Sequence, residues 1–447
     1  MINLLVIALQ FPPIQAAGAF RPLRFVTHLP KFGIRPIVVT FDPVQLADGK
    51  VHILNPALSA KVPNDTPIYI LDVGAIERDR LSESKDAAAD IHGIRCASFE
   101  ELFAHLKATH SIDAIWATCP PFNVAGLALA ARNALDKPLI VDMRDAWSQW
   151  GSAPFRTWLH YRRVLRDEVK LMNAADAIIC VTPQLTRMQW QLTRKRQDQF
   201  HWIPNAFDFE TSPPSELRLA PAKSRLRISY AGQFYFNALH ENANGIIPWY
   251  KKKPHRWLHY YATRQRWIYR TPYFFFRTWA RLREINPDLG NRLEFHYVGE
   301  LPDWLSEMAD AFGLSSFCTW HGLKPKQETQ EILEGSDALL STSIKVLDGE
   351  DYCLASKTFD YIAAGKPVLG FVCPGTQRDF LEKSSISVLF DPDDTEGSCR
   401  QLGELVEHGL TKKVDLRYLS AYTSLSTTRQ LAEIVRQVSG APAELGC

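Results

Sequence analysis

A chain of 447 residues is longer than one hydrophobic core usually organises, so two domains of ordinary size are expected. With 46% hydrophobic and 22% charged residues its composition excludes a disordered chain, and 51 basic against 49 acidic side chains leave a net charge of +2 that argues for no polyanionic partner overall. The eight cysteines (Cys96, Cys119, Cys180, Cys318, Cys353, Cys373, Cys399, Cys447) are dispersed, with neither metal-ligand spacing nor a disulfide framework, and are expected to be reduced thiols of a cytoplasmic protein.

The opening MINLLVIAL reads as a first strand, because it runs into Pro12 and Pro13 without a basic region before it or a small-residue cleavage site after it. No run reaches the roughly eighteen apolar residues that a spanning helix needs, so any membrane is expected to be met from the side. In FPPIQAAGAFRPLRF, Gly18 lets the backbone approach a ligand before a helix carrying Arg21, although a plain tight turn explains one glycine as well. The runs RPIVVTF, DAIWAT, PLIVDM and DAIICVT follow at helix-length intervals, as parallel strands buried on both faces do, and predict a doubly wound sheet.

In such sheets ligands gather at the carboxyl ends of the strands. That rule selects Gly18 and Arg21, the Thr118 to Pro121 turn, and LIVDMRDAWSQW, where Asp142, Arg144, Asp145 and Trp147 leave a buried strand. These charged groups either bond sugar hydroxyls or pair internally to brace their loop. Pro204 and Asn205 read as a turn.

A polar, proline-containing stretch over 206–225 reads as a linker, which divides the chain into domains over 1–205 and 226–415, with a C-terminal helix over 416–447 returning to the first domain. The second domain's strands are LRISYAG, LEFHYVG, ALLST, PVLGFV and SVLFD, with Gly232 and Gly299 at strand ends. Within LDGEDYCLASKTFDYIAAGKPVLGF, Lys357 and Asp360 share one face of a predicted helix that Gly365 and Pro367 close. The lysine at such a helix start can neutralise a diphosphate and the carboxylate can accept from a ribose; an i, i+3 surface ion pair is the plainer reading.

Taken in order, the FPP-Gly18-Arg21 pattern, the Thr118-Cys119-Pro120-Pro121 turn, DMRDAW, ADAIICVT, IPNAFD, ISYAGQFY and SKTFDYIAAGKPVL resemble the retaining glycosyltransferases of family 4, over most of the chain. The resemblance implies an α/β fold of the GT-B type, in which two Rossmann-like doubly wound parallel-sheet domains face a cleft. It implies a nucleoside-diphosphate sugar as donor substrate, with no other cofactor and no metal. Asp360 then looks like the ribose-binding acid and Lys357 a contact on the phosphate side, the two carrying catalysis, with Gly18 and Gly232 near the donor and Arg21, Arg144 and Asp145 toward the acceptor. Three departures accompany it. Tyr352 stands where the family carries the earlier of two glutamates, so Glu350 or Asp351 would have to substitute. ISYAGQFYFNA lacks the usual Arg and Lys. An insertion falls near 237–272.

That insertion contains Lys251, Lys252, Lys253, Arg256, Arg264, Arg266 and Arg270 among Trp249, Trp257 and Trp267. Such a mixture suits a peripheral contact with an anionic membrane through 249–276, consistent with a lipid-linked acceptor, and equally a helical hairpin packed on its own domain. Nucleic acid is not expected as a partner. The function expected is transfer of a sugar to a glycan or lipid-linked acceptor with retention, by a protein of the cytoplasm or the inner membrane face. A sugar-nucleotide epimerase or hydrolase of the same fold and an idle scaffold are the rivals.

Overall fold

Val- and Ile-rich segments become strands here because both faces of a parallel sheet are covered, which leaves no solvent side for polar residues. The computed structural model describes residues 1–42, 53–72, 94–151, 154–207, 213–221, 225–234, 254 and 257–442, so Lys251, Lys252, Lys253, Arg256 and Trp249 of the expected membrane surface lie outside the described residues. The chain forms two compact units: Met1–Ser148 with Tyr161–Phe207 and Tyr422–Cys447, and Gln149–His160 with Asp208–Ala421.

In the first unit the strands are β1 (Ile2–Ile7), β2 (Ile34–Phe41), β3 (Ile68–Leu71), β4 (Ile94–Cys96), β5 (Ala114–Cys119), β6 (Leu139–Met143), β7 (Ala177–Cys180) and β8 (Phe200–Trp202). Every pairing is parallel, in the order β8-β7-β6-β5-β1-β2-β3-β4. The sheet therefore reverses its winding between β1 and β5, the position at which the loops diverge to open a crevice. Helix α1 (Ala17–His28) follows β1, and α2 (Trp158–Ala174) lies between β6 and β7. Leu431, Ala432 and Val435 of the last helix join Leu4, Val6 and Trp116 in this unit's core, and Arg436 Nη2 donates to the Phe32 carbonyl at 2.7 Å.

The second sheet runs through β9 (Leu226–Ala231), β10 (Leu293–Val298), β11 (Cys318–Trp320), β12 (Ala338–Thr342), β13 (Val368–Phe371) and β14 (Ser387–Phe390), all parallel, in the order β11-β10-β9-β12-β13-β14. Its switch point lies between β9 and β12. The helix expected at SKTFDYIAAG is α3 (Lys357–Ala364), closed by Gly365 at φ 65°.

One expectation changes here. Among the aromatic residues assigned to a membrane surface over 249–276, Trp267, Tyr269, Phe274, Phe275 and Phe276 are buried in the second unit. Phe275 and Phe276 pack with Trp279 on Phe295 of β10, and Trp279 Nε1 donates to the Gly290 carbonyl at 2.8 Å. The YFFF run is thus the apolar stripe of a helix over Tyr273–Ile285, which gains more by covering a sheet than by facing headgroups. Among the described residues no helix is long and apolar enough to cross a membrane.

Candidate functional site

At the switch point of the second sheet, β9 is followed directly by Gly232 with φ 106°, a conformation that L side chains rarely adopt. A Cβ on Gly232 would lie 3.2 Å from Lys357 Nζ, and one on Gly299 would lie 2.5 Å from the Gly232 carbonyl, so the two strand-end turns approach each other closely and the Lys357 side chain reaches the first of them. Tyr230 and Tyr297 brace those turns by donating to the Gln233 carbonyl at 3.0 Å and the Glu300 carbonyl at 2.8 Å.

Lys357 is the first residue of α3 and is partly buried. Its amine donates to the Tyr230 hydroxyl and lies 3.8 Å from that ring's centroid, so it turns toward the end of β9. Burial first, then the Arg270 charge, hold its pKa well below the usual lysine value, while Asp360 acts in the opposite direction. Asp360 is exposed one turn along α3. Gln377, 2% exposed, fixes the start of the helix: Oε1 accepts from the Ala355 amide at 2.9 Å, and Nε2 donates to Thr358 Oγ1 at 2.9 Å and Ser341 Oγ at 3.1 Å.

Arg270 went unrecognised as a site residue in the sequence, where it is one of seven cations in the insertion. The structure brings its charge to both Lys357 and Asp351. The neighbouring Tyr269 donates to Asp393 at 2.5 Å and receives the Lys345 amine at 3.4 Å, which ties this segment to the loop beyond β14. The two acids offered for the earlier glutamate separate: Glu350 is exposed, whereas Asp351 is buried and Oδ1 accepts from the Cys353 amide at 2.9 Å. Burial raises the pKa of Asp351.

In the first unit the structure gathers Gly18, Arg144 and Gln10. A Cβ on Gly18 would collide with the Gln10 and Arg144 side chains, so close approach is what selects glycine in the first turn of α1. Arg144 donates through Nη2 to the Pro120 carbonyl, while its Nε is buried without a hydrogen-bond partner among the described residues. Asp145 is partly exposed, and its charge favours the Arg144 cation against burial.

Arg21 has a different position. Only 4% exposed, it grips fully buried Asp142 through Nε at 2.9 Å and Nη2 at 2.8 Å, and donates from Nη1 to the Pro204 carbonyl at 2.8 Å. Thr118 Oγ1 adds a third bond to Asp142 at 2.8 Å. The internal Asp-Arg brace considered for this loop is therefore formed by Asp142 with Arg21, which engages protein groups through three nitrogens and leaves Arg144 as the more accessible cation.

Two further residues shape this loop. Trp147 stacks on Phe122 with ring centroids 5.0 Å apart and planes 1° apart, both partly exposed. Beneath it, buried Glu168 of α2 accepts from the Ser148 amide at 2.9 Å and the Trp147 amide at 3.4 Å, and burial raises its pKa. Glu168 has no sequence signal, since it is one acid in a polar helical run.

Among the described residues no group of three or more His, Cys, Asp or Glu side chains is placed to hold a metal ion. No family model matches the chain, and no curated protein matches its sequence. Solved structures do match over nearly the whole length. The N-terminal domain of trehalose-6-phosphate phosphatase from Candida albicans aligns at 10% identity over 98% of this chain and 97% of its own, with a TM-score of 0.57. The lipopolysaccharide outer core galactosyltransferase WaaB aligns at 11% identity over 98% and 99%, with a TM-score of 0.52. Sucrose-phosphate synthase from Thermosynechococcus elongatus aligns at 11% identity over 99% and 100%, with a TM-score of 0.51. At these identities the likeness establishes the fold, which is GT-B with two Rossmann-like units.

Proposed function

We propose that this protein is a glycosyltransferase whose second unit binds a nucleoside-diphosphate sugar at the start of α3. The observation that carries the reading is Lys357: a partly buried amine at a helix N-terminus, beside the bare Gly232 turn, with Arg270 close enough to oppose its charge. A diphosphate placed against Lys357 and Arg270 offsets both the burial and the repulsion, and α3's dipole favours the same anion. Asp360, exposed on the next turn, is suited to accept from ribose hydroxyls. We assign Glu350, the exposed acid of the two, to the sugar, whereas Asp351 holds its own turn together.

Transfer needs the departing diphosphate to be stabilised as its bond to the sugar breaks, and Lys357 with Arg270 supplies that positive charge. In the first unit the buried Nε of Arg144 has a donor to spend, and the Phe122–Trp147 pair offers an apolar ring surface to a sugar's C–H face. We assign Arg144, Asp145 and this pair to the acceptor, a glycan or lipid-linked sugar, and Gly18 to the backbone approach beside them. Membership of family 4 and retention at the anomeric carbon belong to the same proposal.

Incubation with donor sugars, with and without glycan acceptors, separates transfer from its rivals. Acceptor-dependent release of nucleoside diphosphate, lost in Lys357→Met, is the expected result. Full-rate release of free sugar, or an epimerised donor without acceptor, would show that the site performs another reaction.

A further inference from the structure

An arginine placed only by its backbone gives up several rotamers when a ligand captures it, and beside a second cation repulsion favours its escape into solvent. Arg270 opposes the charge of Lys357 in this way, so its place depends on what holds the segment that carries it. The segment itself contributes. Trp267–Arg270 form one turn of 3-10 helix, in which side chains three apart eclipse, and the Arg270 guanidinium accordingly lies 6.0 Å from the centroid of the Trp267 ring. Trp267 and Tyr269 are buried and anchor the turn within the second unit.

Two clamps then fix this segment to its surroundings. On one side Gln265 and Arg266 pair antiparallel with Val346 and Lys345, and the Leu347 amide donates to the Arg264 carbonyl at 2.8 Å. Arg264 also grips Asp348, through Nε at 2.6 Å and Nη2 at 2.5 Å. On the other side Asp393 accepts from the Tyr269 hydroxyl and from the Lys345 amine, and Arg277 Nη2 fastens the same turn by donating to the Pro392 carbonyl at 2.7 Å. Burial works against the Asp393 charge, but the bonds from Lys345 and Tyr269 hold its pKa below the usual carboxylate value. Lys345 belongs to both clamps, with its backbone in the ladder and its amine on Asp393. One exposed ion pair contributes little, but here two pairs close a single network that reaches Asp348, two residues before Glu350. The strap therefore joins the segment carrying Arg270 to the loop carrying Glu350 and Asp351.

We propose that Asp393, Lys345 and Asp348 are positioning residues for the donor: through Tyr269 and Arg264 they strap residues 264–270 to the loop before Glu350, and so hold Arg270 where the diphosphate arrives. The inference rests on the reading of the α3 start as the donor site. None of the three touches the donor. Their effect is to order Arg270 before binding, so that the diphosphate does not have to order it.

One readout uses the free protein and depends on no ligand. Lysines of the full chain are labelled competitively with acetic anhydride over a pH series, and Lys357 is followed by mass spectrometry. In Asp393→Asn and in Asp348→Asn its titration should move up toward the ordinary lysine range, because Arg270 drifts away from it. An acid acting only through its field would give the opposite sign, since removing a negative charge lowers a lysine's pKa. Arg270→Met should raise the titration too, and adding Asp393→Asn to it should raise it no further. Both acids are about half exposed, Asp393 at 51% and Asp348 at 54%, so the fold should stand. Calorimetric titration with UDP and GDP gives the second readout. Each variant should bind the preferred diphosphate roughly two- to tenfold more weakly, the effect of ordering one long side chain on binding. A Lys357 titration that stays or falls in both variants overturns the proposal, and so does unchanged diphosphate affinity in both. If the titration rises as expected while the unaltered protein binds no diphosphate, the strap stands and the donor reading is what fails.

Discussion

Removing Arg21 while leaving Asp142 in place should be among the most damaging single substitutions in the first unit. Asp142 is fully buried and accepts two bonds from the guanidinium and one from Thr118. In Arg21→Met the carboxylate keeps only the threonine, and a buried charge deprived of its partner costs about 3 to 5 kcal/mol. A global unfolding free energy is poorly defined for a chain of two units, so the informative assay is native-state hydrogen exchange on the amides of β5 and β6. At a factor of ten per 1.4 kcal/mol, the lower bound corresponds to exchange faster by roughly 150-fold. Arg21→Met combined with Asp142→Leu should recover most of that loss, since a buried pair replaced by apolar groups is often neutral. Acceleration below about tenfold in the single variant, or equal damage in the double variant, would refute the view that this pair braces the ends of β1, β5 and β6.

Other substitutions test the local geometry. Gly18→Ala should cost about 1 to 3 kcal/mol in the first unit by displacing the Gln10 and Arg144 side chains, and Gln10→Ala should relieve part of it, read by thermal unfolding. Gly232→Ala, forced to φ 106°, should cost about 1 to 2 kcal/mol and weaken diphosphate binding, whereas Gly126→Ala, with nothing near its Cβ, should do neither. Glu168 has a folded pKa raised by burial, so its contribution is fully present below its unfolded pKa and is lost as pH rises through the folded value. Glu168→Gln should therefore remove a component of stability that falls with rising pH, seen by comparing melting temperatures across the weakly acidic range. For Lys357 the sign differs: the folded pKa is depressed and a bound anion raises it, so diphosphate binding should take up protons and weaken as pH rises through the depressed value. Calorimetry in buffers of different ionisation enthalpy reads that uptake.

The central strands were legible because burial on both faces leaves continuous apolar runs: INLLVI, AIWATC, LIVDM and AIIC are strands as read. Edge strands β4, β8 and β11 span three residues each and are partly exposed, so neither length nor pattern separates them from loops. Lys357 and Asp360 could be placed on one helix face by spacing alone. Arg270 could not, because its approach to Lys357 depends on a segment pinned by Tyr269, Asp393 and Lys345, residues 76 and 124 positions apart from the tyrosine. The same limit applies to Asp142: the sequence shows a charged strand end, but the partner that neutralises it lies 121 residues away. The adjacent Glu350 and Asp351 differ only in tertiary burial, which no local pattern records.

Isothermal titration with nucleoside diphosphates is the most direct test of the central claim, carried out on the unaltered protein, on Lys357→Met and on Arg270→Met. A charge-assisted hydrogen bond contributes about 1.5 to 3 kcal/mol, so each substitution should weaken the preferred diphosphate by roughly ten- to a hundredfold while leaving the fold intact. Diphosphate affinity unchanged in both variants, or no binding of any diphosphate by the unaltered protein, would contradict the assignment of the donor to the start of α3.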